Sequence, residues 1–161
     1  MMPTKQGDIT ILDNPIAQEL LHSKVPARLA YVWPDGSPRV IPIWFHWNGQ
    51  EIVLGTPLQA PKVKALEQGS KVALTIDTDN WPHKVLQIRG TVSVQTVDGV
   101  VPEYALAAAR YLGAESGKGW VEQAKALFPQ MARIVVRPEW VGLLDFEQRF
   151  PSAIEAAMAG Q

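Results

Sequence analysis

Residues 39–56, RVIPIWFHW-NG-QEIVLGT, confine this chain to a small set of folds. A bulky apolar run meets Asn48-Gly49, the two-residue pair that suits a tight hairpin, and a second run returns to Gly55-Thr56. An antiparallel hairpin with Trp44, Phe45, His46 and Trp47 consecutive on one arm must bury at least one of its faces. Period-two alternation puts Trp44 and His46 on one side and Phe45 and Trp47 on the other, so the four cannot all serve one pocket.

More strands follow from the same reasoning. Residues 26–33 end at the turn Pro34-Asp35-Gly36-Ser37, where proline presets φ and glycine permits a positive one. Residues 71–77 and 84–95 are rich in β-formers. In the latter, Val85, Gln87, Arg89, Thr91 and Ser93 share one face, and Leu86, Ile88, Gly90, Val92 and Val94 the other. Residues 131–138 and 139–146 read as two further strands.

Helices are fewer. Asn14 as cap and Pro15 at the first helical position open a short amphipathic helix to about Ser23. Residues 60–69 read as a helix carrying Val63 and Leu66 and closing at Gly69. From Pro102 the chain becomes alanine-rich, and two helices are expected before Pro129, as an insertion at about 99–129. A last short helix runs from Ser152 to Met158.

The expected fold is therefore mainly β with helices (β+α): one domain, 1–161, built on an antiparallel barrel. The 161 residues, 47% hydrophobic, suffice for a single core. No apolar run approaches the roughly 20 residues of a membrane span or the core of a signal peptide, so a cytoplasmic location without membrane association is expected. With 15 Lys+Arg against 16 Asp+Glu, non-specific nucleic-acid binding is not expected.

The chemistry open to the chain is narrowed by what it lacks. Without cysteine, thiolate metal sites and cysteine nucleophiles are excluded. His22, His46 and His83 have no ligand-type spacing, and no zincin, phosphate-loop, dinucleotide or nucleophile-elbow motif occurs, so no metal and no catalytic side chain is assigned. What stands out is Thr56 at a strand end and Lys62 six residues on, in the first turn of the expected helix. A hydroxyl, an ammonium and a helix N-terminus together suit a phosphate; solvation of an exposed helix by Lys62 and Lys64 is the competing reading.

The ordered set ARLAYVWPDGSPRVIPIWFHWNGQEIVLGT, PLQAPKVKAL, KVALTID and LQIRGTVSV resembles the pyridoxamine 5'-phosphate oxidase-like FMN-binding split-barrel family, with its flavin- and deazaflavin-dependent relatives. The resemblance implies a split β-barrel homodimer with FMN across the subunit interface. Hydride would pass through flavin N5 to or from a small molecule. By position it makes Thr56 and Lys62 phosphate ligands, with Arg39 in the same role, and lays Ile41, Pro42, Ile43 and Trp44 along the isoalloxazine. Gln87 and Arg89 would reach the flavin edge or the second subunit. Where pyridoxamine-phosphate oxidases carry Ser-Arg-Lys, this chain has Ala60-Pro61-Lys62, and their C-terminal arginine and histidine grouping is missing from GLLDFEQRFPS. Two alternatives on the same fold are F420-dependent reduction, with Arg28, Lys64 and Arg89 along the anionic tail, and non-catalytic flavin or haem binding.

Overall fold

The computed structural model describes residues 4–160. Seven strands, β1 (Ala27–Val32), β2 (Pro38–Ile43), β3 (His46–Trp47), β4 (Ile52–Pro57), β5 (Lys71–Asp77), β6 (Val85–Asp98) and β7 (Gln130–Leu144), form one antiparallel sheet ordered β2-β1-β5-β6-β7-β4-β3. Laid flat, its two edge strands would stand about 29 Å apart at the usual inter-strand spacing. Yet β2 and β3 are joined through Trp44 and Phe45 alone, and three peptide steps reach about 11 Å at most. The sheet must therefore curl until its edges nearly meet. Among the described residues no hydrogen-bonded ladder joins β2 to β3, so the barrel is split at that seam.

The interior is lined by one residue in two from most strands. Ala27, Leu29 and Tyr31 of β1, Val72, Leu74 and Ile76 of β5, Leu86, Ile88 and Val92 of β6, and Ile134 and Val136 of β7 are buried in one cluster with Phe45 and Trp47. A 3-10 turn (Ile9–Asp13) and helix α1 (Pro15–Leu21) pack against this core through Ile11, Leu12, Ala17, Leu20 and Leu21. Asn14 caps α1, its side-chain oxygen accepting from the Ile16 N–H at 2.9 Å.

Three expected boundaries shift. The run 39–47 is two strands, because the chain changes edges at Trp44-Phe45. Residues 131–146 form one strand, β7, to Leu144 instead of two: Pro138 pairs with Gly90 and Trp140 with Arg89, so Glu139 is taken up as a bulge. Gly90 is required there, since a Cβ would collide with the Arg137 carbonyl group. The expected helix 60–69 is a single turn, α2 (Pro61–Ala65), because Leu66 leaves helical geometry (φ −91°, ψ 103°) and enters the core.

The insertion is a helical hairpin, α3 (Pro102–Leu112) and α4 (Ala114–Leu127), packed outside β3 and β4. A Cβ on Gly55 would stand 2.7 Å from that of Tyr104, so α3 lies directly on the β4 backbone. Glu103 and Arg133 pin it to β7 with a largely buried, two-pronged ion pair (2.7 Å from Arg133 Nη2 and 2.8 Å from Nε to Oε1). A last helix, α5 (Ser152–Ala159), follows. Among the described residues no helix is long and apolar enough to cross a membrane.

Candidate functional site

Thr56 lies at the end of β4 on the face that turns Ile52 and Leu54 into the barrel, and only 4% of it is exposed. The chain then passes through Leu58, which packs on the core, into α2, whose Val63 and Ala65 also pack on it. Lys62 is thereby held half-buried on that turn. It makes no ion pair with a carboxylate among the described residues. Burial lowers its pKa from the usual 10.5, the mark of an ammonium that has lost water without gaining an anion. One helical turn aligns too few peptides for a macrodipole, so an anion at this place would depend on the Lys62 ammonium and the Thr56 hydroxyl and not on the helix N-terminus expected from sequence.

The other sequence-predicted residues fall into three places. On β2, Arg39, Ile41 and Ile43 pair with the buried Tyr31, Leu29 and Ala27 and share their side of the sheet. The isoleucines pack on the core, while the Arg39 guanidinium lies 4.8 Å from the Trp33 ring centroid. Pro42 is on the opposite, outer side with Val40. Gln87 and Arg89 are also on the outer side, where a cleft of about 280 Å³ joins them to Arg28, Val40 and Thr75. A neighbouring cleft of about 530 Å³ shares Ala30, Ala73 and Arg89 and extends to Val32, Lys71 and Trp140. Arg89 stacks on Trp140 at 3.9 Å, and Arg28 is tied to Asp77 at 3.2 Å. Thr56 on the inner face of β4 and Lys62 on the α2 turn share no cleft with Gln87 and Arg89, which lie on the outer face of β6.

Trp44 lies under the helical hairpin. Its indole stacks on Tyr111 (centroids 5.1 Å, planes 9° apart) and is tilted against Tyr104 and Trp120, each at 6.0 Å. Trp120 donates to the Tyr104 hydroxyl at 2.6 Å, Tyr111 to the Val25 carbonyl at 3.1 Å, and Arg110 to the carbonyls of Ser23 and Phe45. His46, beside this cluster, has its pKa lowered by burial and then by the Arg110 charge, against a smaller opposing pull from Glu103. Sequence reasoning did not find Tyr104, Tyr111 or Arg110. The one available signal was the seven-residue spacing of the two tyrosines, which sets them on one helix face.

A curled antiparallel sheet of seven strands, split along the seam between β2 and β3 and carrying its helices outside, is a split β-barrel. The chain matches the pyridoxamine 5'-phosphate oxidase family over residues 14–145, and it belongs to that family. Three solved structures share its fold. One described as an F420 reductase is 25% identical, covering 78% of this chain and 94% of its own, with a TM-score of 0.57. A conserved hypothetical protein of Mycobacterium tuberculosis is 17% identical, covering 92% of each chain (TM-score 0.65). The haem storage protein HutZ of Vibrio cholerae is 20% identical, covering 82% of this chain and 93% of its own (TM-score 0.60). No curated protein matches the sequence.

Proposed function

We propose that this chain is a homodimeric oxidoreductase that binds FMN at its subunit interface and acts on a small molecule. The observation that carries the reading is Lys62: a half-buried ammonium with no carboxylate partner among the described residues, on the turn that follows the strand whose end carries the buried residue Thr56. A phosphate supplies the missing charge and accepts from both groups. The apolar outer face, where Val32 is 58% and Val40 67% exposed, suits burial against a second copy. Such pairing would set Gln87 and Arg89 of one subunit toward the cofactor of the other, which explains why one chain does not gather all the candidate residues.

When bound, the flavin supplies hydride transfer at N5, and the protein contributes binding, orientation and exclusion of water. Lys62 and Thr56 hold the phosphate, Arg39 adds a peripheral positive charge, and the β2 segment Ile41–Ile43 offers an apolar border to the ring. A second reading, F420 in place of FMN, draws on the F420 reductase likeness; of the cations suggested for its tail, Arg28 is already paired with Asp77.

Titration of the purified protein with FMN, riboflavin and F420, followed by absorbance, tests both readings. FMN binding should exceed riboflavin binding, and Lys62→Ala should lower FMN affinity about tenfold or more, the worth of one charge-assisted contact, while leaving riboflavin unchanged. Full FMN affinity in Lys62→Ala would remove the phosphate assignment, and selective F420 uptake would move the reading to the deazaflavin.

A further inference from the structure

The chain has seven arginines, and six of them are satisfied. Arg28 and Arg133 face carboxylates; Arg39 and Arg89 lie over tryptophan rings; Arg110 and Arg149 donate to backbone carbonyls. Arg137, on β7, is the exception among the described residues. Ile52 pairs with Val136, so Glu51 and Arg137 occupy the next positions of neighbouring strands, yet they form no ion pair.

Both residues line a cleft of about 430 Å³ between the Ile9–Asp13 turn, the β3–β4 turn and the β7 bulge. Its volume falls in the range of small-molecule sites. Leu12 and Trp47, which belong to the core, form an apolar wall, and Ile9, 52% exposed, stands at the lip. Asp13 completes the rim, and it too has no charged partner among the described residues. One arginine, two acidic residues and an apolar wall therefore border a cleft lined by none of the residues considered for the flavin.

We propose that this cleft binds a small zwitterion with an apolar side chain, an α-amino acid or a short peptide. Its carboxylate meets the Arg137 fork, for which a planar two-oxygen anion is the natural complement. Its ammonium is received by Glu51 and Asp13, and its side chain covers Ile9, Leu12 and Trp47. The two-to-one excess of carboxylate disfavours simple anions such as phosphate, which distinguishes this cleft from the Lys62 end of the barrel.

The test is calorimetric titration with L-phenylalanine, N-acetyl-L-phenylalanine and L-phenylalaninamide. Capping either end should weaken binding about tenfold or more. Arg137→Met should bring the free acid and the amide within about twofold of each other, and Glu51→Gln should weaken the free amino acid more than the acetylated one. Both substitutions are at the surface, and an unchanged thermal midpoint confirms the fold. Equal binding of capped and free forms, an unaltered profile in Arg137→Met, or no heat at the solubility limit of L-phenylalanine overturns the proposal. FMN uptake, measured in parallel, is expected to be unaffected by either variant.

Discussion

Removing Trp44 measures how far the helical hairpin is part of the barrel. A packed tryptophan buries about 150–250 Å²; for the half-buried Trp44 the lower figure, at about 25 cal/mol per Å², corresponds to about 4 kcal/mol. Trp44→Ala should therefore lower the unfolding midpoint by roughly 8–16 °C in a domain of this length. The parallel stack on Tyr111 adds a pairwise part of about 1 kcal/mol. Urea unfolding of Trp44→Ala, Tyr111→Ala and the double variant isolates that part as the non-additive remainder. Tyr111 also donates to the Val25 carbonyl, but this bond is lost equally with and without Trp44 and cancels in the cycle. A remainder below about 0.3 kcal/mol, the additivity limit of independent sites, would refute the stacking argument. A separate, earlier unfolding transition for the hairpin would refute its integration.

Three other outcomes are expected. Glu103→Gln, which leaves the largely buried Arg133 without its counter-charge, should cost about 2 kcal/mol. The hydrogen bond from Arg133 holds Glu103 below its ordinary 4.5, so the stabilisation is complete above that pH and disappears as pH falls through the lowered value; in thermal melts the variant should lose this acid dependence. Burial depresses Lys62, so wild-type stability rises as pH climbs from its folded value toward 10.5; ligand-free Lys62→Met should be the more stable at pH 7, with the difference closing at alkaline pH. Gly90→Ala forces a methyl group against the Arg137 carbonyl and should cost about 2–3 kcal/mol in denaturant titration.

The strand faces were legible wherever alternation was unbroken. Leu86, Ile88 and Val92 are buried and Gln87, Arg89 and Ser93 exposed, as period two requires. Legibility failed where local punctuation had a tertiary answer. Pro138 reads as a strand end, but a bulge opposite Gly90 absorbs it. Gly69 reads as a helix cap, but its N–H is bonded to Val92 across the sheet and the helix stops at Ala65 because Leu66 is drawn into the core. Thr56 and Lys62 could be picked out because they lie close in sequence. The Trp44 cluster and the Glu103–Arg133 pair could not, since their partners are contributed by an insertion more than 25 residues away along the chain.

The open seam has a consequence for how this chain meets its neighbours. A free sheet edge normally exposes a row of N–H and C=O groups that can recruit a strand from another molecule. The ladder between β2 and β1 runs through both Pro38 and Pro42, and since proline cannot donate, these positions must face away from β1. Of the three residues directed at the free edge, only Val40 retains an N–H. Strand-by-strand growth from β2 into fibres is blocked at two of every three donors, and a second molecule is left to approach through side chains, across the face of the sheet.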